Sequence, residues 1–572
     1  MKARFIPRAL AAIALLCIAG GFSISQDTEF GPAKIAYDDY IKRPSLQMRT
    51  RGRVGLAKTQ HKGAWDILTK SYAKPETPKD HVKYLLASIC AQYFGDEEWA
   101  NGWVTWREAN KKPEDAWLWY RGLIHHQQNR GEDDLIAIVS EPKNDLFLRA
   151  AAFEALAENG SEKILAWWET ELDKADKWKG VERAVLLECC AHNMATETSQ
   201  KGTDQFRNTG LKLIPLIEEK QTDDRTKLVM ARYFKEIFAT DKLYVNAKPW
   251  LELLLNPDKE PARDDKYAPA APPTKFVGIE SNGKRIVYVI DLSDSMMKPV
   301  STKIKEEIKK PPEPSGPVTG SGEHRKPEGK KGDGKKEDEK KEPEMEDELP
   351  WDKIKVRFHV AREYLKLSLK TLQPDQFYCV IKFGSNAELA KTTKGLTPAT
   401  PANIQATIRE LDAIKPGPAT EIRKDGTLMG DTNLHGGIHR AFKVTKGGMV
   451  KEYEYVDGTT WFDGADTIFI LSDGDPTDDD WAQVDKRDPW DQTGDPETRT
   501  KAPDQENLRF PGPYGYWQYN GQGEFLVDDV RRLNVFRKCE IHCIGIGEAT
   551  YSMLRGIANV GRGQLKMIGN GG

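Results

Sequence analysis

The sequence predicts a multidomain chain: an all-α N-terminal region, then an α/β domain with a parallel sheet and long insertions. Three observations carry this prediction. Residues 37–255 show the 3.6-residue periodicity of amphipathic helices. Beyond residue 275, short apolar runs alternate with amphipathic helices. Three polar stretches interrupt the second half without adding a core of their own.

At 572 residues, with 38% hydrophobic residues, the chain can bury sizeable cores. A formal net charge of −3 gives no global pull toward nucleic acid or an anionic membrane. The first residues run basic ("MKARFIPR"), apolar ("ALAAIALLCIAGGF") and small ("SIS"), the order of a leader for export. This predicts a signal peptide over 1–25, with the mature chain starting near Gln26. Cys17 follows Leu16 rather than the small residue that a lipid-modified leader requires. No other stretch is long and apolar enough to span a bilayer, so no transmembrane segment is expected after removal of the leader. The six remaining cysteines, Cys90, Cys189, Cys190, Cys379, Cys539 and Cys543, form no C-x-x-C pair and sit among apolar neighbours. Buried free thiols are expected.

The helical region extends over 26–255. "DLFLRAAAFEALAENGSEKILAWWETEL" gives a helix, a break at Asn-Gly and a second helix. "VERAVLLECCAHN" and "RTKLVMARYFKEIFATD" restart the pattern, with Arg149, Arg183 and Arg232 recurring loosely near them. Paired helices at such a period imply a solenoid, and "LRAAAFEAL" resembles a HEAT repeat, with TPR-like pairing as a neighbouring type. Ten of the 15 tryptophans fall here, at helical spacings that suit a core better than a ligand platform. "NPDKEPARDDKYAPAAPPT" over 256–274 reads as a linker.

The second domain, 275–572, reads as follows. "RIVYVID", "QFYCVIKFG", "DTIFILSDG", "CEIHCIGIG" and "GQLKMIG" are strands. "WDKIKVRFHVAREYLKLSLKTL", "PANIQATIRELDAI", "NLHGGIHRAFKV", "FLVDDVRRLNVFRK" and "YSMLRGIANV" are helices. A single strand with a Ser-Asn-Gly turn is expected to precede "RIVYVID". The insertion 301–350 is rich in Lys, Glu, Pro and Gly and reads as a solvated tether; 415–430 is a shorter loop. The insertion 475–524 is acidic and aromatic, and Trp481, Trp490, Tyr516 and Trp517 in it are the candidates for partner contact.

"DLSDSMM" (Asp291–Met297) ends a strand with one carboxylate and two hydroxyls, hard oxygen donors suited to Mg²⁺. "GDTNL" and "LSDG" follow in order, each at a helix start or strand end. Together these resemble the metal-ion-dependent adhesion site of von Willebrand factor A (VWA) domains, a Rossmann-like fold, and the resemblance covers about 275–572. It implies metal ligation by Asp291, Ser293 and Ser295 from a first loop, Thr432 from a second and Asp473 from a third. The ion implied is Mg²⁺, with Mn²⁺ or Ca²⁺ as substitutes. Two carboxylates and three neutral hydroxyls would leave a 2+ ion electrophilic, open to an Asp or Glu of a protein partner. Asp431 stands where the family often has glycine, and reads as a solvated turn residue.

Competing constellations are weaker. "DGDPTDDD" has the look of a calcium loop but lacks its glycine and its closing Glu. His435 and His439, four apart on a helix, could face one zinc, though packing explains them more simply. No Walker A loop, G-x-S-x-G elbow or dinucleotide fingerprint is present. The expectation is a non-enzymatic exported interaction or adhesion protein. The alternatives are a metal-dependent hydrolase and an assembly or chaperone-like factor, since VWA domains accompany chelatase ATPases.

Overall fold

The computed structural model describes residues 28–43, 46–73, 82–240, 242–256, 274–300, 304, 349–415, 430–450, 458–477, 479–480 and 524–569. The expected leader, most of the linker and nearly all of the insertions at 301–350, 415–430 and 475–524 lie outside the described residues. No described helix is long and apolar enough to cross a membrane. The described residues fall into two compact units, one within 28–171 and 192–201 with residue 480, the other within 172–191, 202–479 and 524–569.

The first unit is helical throughout. Helices α1 (Leu46–Ala57), α2 (Lys62–Ala73) and α3 (Val82–Tyr93) lead into α4 (Ala100–Ala109), α5 (Ala116–Arg130), α6 (Asp133–Ser140), α7 (Leu146–Asn159) and α8 (Ile164–Glu171). The Asp145 carboxylate accepts from the Phe147 backbone N–H and caps α7, and Gly160 with φ +80° ends the run. All of this unit's described tryptophans but Trp167 are buried in the core. Trp65, Trp99, Trp103 and Trp106 are all buried, and Trp65 packs within 5.4–5.5 Å of the other three rings. Arg149 reaches back from α7 to donate to the Val139 carbonyl at the end of α6.

The second unit holds the sheet. Its strands are β1 (Thr274–Phe276), β2 (Ile279–Ser281), β3 (Arg285–Asp291), β4 (Phe377–Phe383), β5 (Ala387–Leu389), β6 (Thr397–Pro398), β7 (Val444–Thr445), β8 (Gly448–Met449), β9 (Thr467–Ser472), β10 (Glu540–Ile546) and β11 (Arg562–Ile568). The main sheet runs β11-β10-β9-β3-β4-β5, with β6 also paired to β4. β11, β10, β9, β3 and β4 are parallel, whereas β5 and β6 run antiparallel to β4. Every residue of β3 and β9 is buried, as expected of strands covered on both faces.

Alternation along β3 supplies both cores. Ile286, Tyr288 and Ile290 join helices α13 (Arg357–Thr371) and α14 (Pro401–Ala413) on one face. Val287 and Val289 join α15 (Leu434–Lys443), α17 (Glu524–Asn534) and α18 (Tyr551–Val560) on the other. A short helix, α16 (Gly458–Asp463), precedes β9. One element differs from expectation. The segment before β3 is not one strand but a separate hairpin of β1 and β2, turned at Val277 and Gly278, both with positive φ. That is the backbone of a two-residue hairpin turn, and Gly278 provides it at no steric cost.

Helices preceding the sheet belong to the same unit. They include residues 180–191 of α9 (Gly180–Thr196), α10 (Asp204–Leu213), α11 (Asp224–Ile237) and α12 (Ala247–Leu255). Arg232 of α11 donates to the Asp466 carbonyl and the Thr467 hydroxyl, both at 2.9 Å, and pairs with Glu540 at 3.0 Å. Asp466, Thr467 and Glu540 stand at the N-terminal ends of β9 and β10. Beside this contact Arg225 and Glu188 form a buried pair at 2.7 Å, and Trp461 of α16 donates to the same Glu188 oxygen. Arg183 donates to the Ala175 carbonyl and pairs with Glu219. These helices therefore hold the sheet at the end opposite the carboxyl ends of its strands.

Candidate metal centre at the carboxyl ends of the strands

In the sheet β3 lies between β4, which follows it, and β9, reached only after the chain crosses back. The strand order reverses there, and in open α/β sheets ligands bind in the crevice outside the carboxyl ends at such a switch point. Asp291 ends β3 and Asp473 follows β9, so both carboxylates are delivered to that crevice.

The five side chains expected at the site are brought together. Asp291 is fully buried; one oxygen accepts from the Ser293 backbone N–H at 2.7 Å and the other from the Ser472 hydroxyl at 2.6 Å. The Ser293 and Ser295 hydroxyls are 3.0 Å apart, and Ser295 donates to Asp473 at 2.6 Å. Since the Ser295 proton is committed to Asp473, Ser293 donates to Ser295. The second loop is tied to the first, because Asp294 N–H donates to the Gly430 carbonyl and its carboxylate accepts from Gly430 N–H. It is tied to the third by Thr432 and Thr477, whose backbone and hydroxyl groups exchange bonds of 2.9 and 3.1 Å. Asn433 then caps α15 by accepting from Gly436 N–H.

The donor set fits a small hard cation. Cis oxygens on an octahedral ion with ~2.1 Å bonds lie about 3 Å apart, which is the spacing of the Ser293 and Ser295 hydroxyls at 3.0 Å. Gly474 adds a second indication. A Cβ built there would lie 3.4 Å from the Ser295 hydroxyl and 3.9 Å from that of Thr432, so a side chain would fill the space these hydroxyls face. Asp431 is exposed, as expected of a turn residue, with its N–H bonded to the Ser385 hydroxyl.

Electrostatics hold the two carboxylates in tension. Burial first, and the neighbouring Asp473 charge second, push Asp291 up to about 7 against the bonds from Ser293 and Ser472. Burial also raises Asp473, opposed by Ser295 and by Arg357, which donates to its second oxygen at 2.8 Å. A divalent ion would relieve this tension by favouring both ionised forms.

Sequence reasoning missed several residues. Arg357 starts a helix and carries no motif. Ser472 lies inside the quoted "LSDG" but its link to Asp291 depends on strand pairing. Thr477 sits within "DGDPTDDD", where the calcium-loop reading drew attention to the wrong oxygens. Trp481, Trp490, Tyr516 and Trp517, the candidate partner contacts, lie outside the described residues.

A second cluster lies beneath the Thr432 loop. His435 and His439 of α15 and Asp529 of α17 are buried, with one ligand atom from each within 4.8 Å of the others, so the group could hold a metal ion. Both imidazole Nε2 atoms contact the same Asp529 oxygen, at 3.2 and 2.6 Å, and Arg532 donates to the other at 2.7 Å. Burial, with His435 beside it, drives His439 down to about 3, so the ring is neutral. Although burial disfavours its charge, Asp529 is held well below the usual range by Arg532 and the two histidines. Carboxylate and guanidinium thus balance without an ion. The six described cysteines are all free and buried, and none joins either cluster.

No family model matches the chain, and no curated protein matches it.

Proposed function

We propose that this chain is an exported, non-enzymatic interaction or adhesion protein whose second unit carries a VWA-type metal-ion-dependent adhesion site. The observation that carries the reading is the convergence of Asp291, Ser293, Ser295, Thr432 and Asp473, from three loops, at the switch point of a mostly parallel sheet. These residues would hold Mg²⁺, with Mn²⁺ or Ca²⁺ as substitutes, and the ion would supply an electrophilic position for an Asp or Glu of a protein partner. Ser472 and Arg357 each hold one of the two carboxylates. Export rests on the basic, apolar, small order of the first 25 residues, and a HEAT-like role for the helical region on its paired helices.

The test is capture from an exported protein fraction by the immobilised full chain, in Mg²⁺ or in EDTA, beside Asp291→Ala. Partners released by EDTA and missing from the variant support the reading. Partners retained in both contradict it. Turnover of generic ester or phosphate substrates that Asp291→Ala abolishes would favour the hydrolase instead.

A further inference from the structure

A buried guanidinium stands behind the third loop, where the sequence gives no hint of one. Arg357 is the first residue of α13, and it is placed by backbone pairing close to the first metal loop. Its N–H donates to the Lys298 carbonyl, Val300 N–H donates to the Lys355 carbonyl, and Pro299 bridges Val356. The side chain then lies flat over Gly547, where an added Cβ would come within 2.3 Å of Cζ. Gly547 also has φ +71°, so two constraints keep it glycine. Arg357 is 8% exposed, and its guanidinium donates to the second oxygen of Asp473 at 2.8 Å.

Its charge changes the arithmetic of the site. Asp291 and Asp473 alone would neutralise a 2+ ion. With Arg357 paired to Asp473, these three groups sum to −1, so the guanidinium removes one unit of the negative charge that a 2+ ion would meet. Of the other charges in these loops, Asp294 and Asp431 are exposed, Asp475 is half-buried, Asp479 is buried, and the Lys298–Glu548 pair cancels itself. Water screens Asp294 and Asp431 far more than it screens Arg357, which among the described residues is the one buried cation paired with a carboxylate of the five.

Resting on the reading of these five side chains as a divalent-ion site, we infer that Arg357 makes ion binding depend on an external carboxylate. The internal cation weakens the ion's hold when alone and makes the ion–carboxylate pair the tightly bound species. Arg357 is a positioning and charge-setting residue, not a ligand. Ion and partner would then bind with positive coupling, each raising affinity for the other by the same factor.

The experiment is calorimetric titration of Mn²⁺ into the full chain, without and with sodium acetate, for the parent, Arg357→Gln and Arg357→Lys. Acetate should tighten Mn²⁺ binding to the parent. Arg357→Gln should bind Mn²⁺ alone about tenfold tighter or more and gain little from acetate. Arg357→Lys, which keeps the charge, should follow the parent; a packing role alone would make Lys and Gln alike. Equal Mn²⁺ affinity in Gln and parent overturns the inference while leaving the ion site standing. Mn²⁺ binding to the parent that acetate does not change overturns it too, even if the Gln variant fails to fold. Absence of Mn²⁺ binding in the parent and both variants, with or without acetate, removes the site reading and the inference together.

Discussion

Replacing Asp291 by Asn should stabilise the ion-free protein, and increasingly so as pH rises. Asp291 is buried beside Asp473 and titrates near 7 in the fold, against 3.8 for an ordinary aspartate. A carboxyl whose folded pKa is raised lends its full stability below the unfolded pKa. That stability is lost as pH climbs through the folded value, here between about 4 and 7. A difference of about 3 units is at most roughly 4 kcal/mol, an upper figure because part of it is shared with Asp473. Asn keeps the local bonds: its carbonyl accepts from Ser293 N–H, and its amide can donate to the Ser472 hydroxyl. Asn has no charge to desolvate. Urea denaturation in EDTA, followed by tryptophan fluorescence at several pH values, should show Asp291→Asn gaining on the parent from pH 4 to 8. Mg²⁺ should then restore the parent at pH 8 without helping the variant. A stability difference that stays flat with pH would refute the reasoning.

Three further outcomes follow from the same geometry. Gly474→Ala places its methyl at ordinary contact distance, so melting should be unchanged within ~1 kcal/mol, while Mn²⁺ titration should show affinity lost by about tenfold or more as the space before Ser295 and Thr432 fills. Glu188→Ala strands the buried Arg225 and should cost about 3–5 kcal/mol in chemical denaturation, whereas Glu188→Leu with Arg225→Met should recover most of it. Asp529→Ala leaves Arg532 buried beside His435 and His439 without their carboxylate, and should likewise cost about 3–5 kcal/mol by the same measurement.

Much of the second unit was legible because its strands are short apolar runs with punctuation, and its helices carry clear amphipathic faces. The parallel strands β3, β4, β9, β10 and β11 and the helices around them fall where the alternation places them. β5 and β6 escaped because two- and three-residue edge strands have no periodicity to read. The β1–β2 hairpin escaped because its turn, Val277-Gly278, carries only half of the usual glycine-rich signal. The five side chains that converge at the carboxyl ends of β3 and β9 were readable as candidates because each lies in a short local motif. Arg357 was not: its partner Asp473 is 116 residues away, and only the sheet and the pairing of 298–300 with 355–357 bring them together. The same holds for Arg232, whose sequence neighbours suggest another repeat position while its guanidinium secures β9 and β10. Asp529 completes the cluster of His435 and His439 from a helix about 90 residues on, a distance no spacing rule covers.

The most direct test of the site is a calorimetric titration of Mn²⁺ into the full chain in the presence of acetate, beside Asp291→Ala and Thr432→Ala. One ion should bind saturably to the parent and to neither variant. Equal binding by all three proteins, or none to the folded parent, would contradict the assignment of these loops as a metal centre.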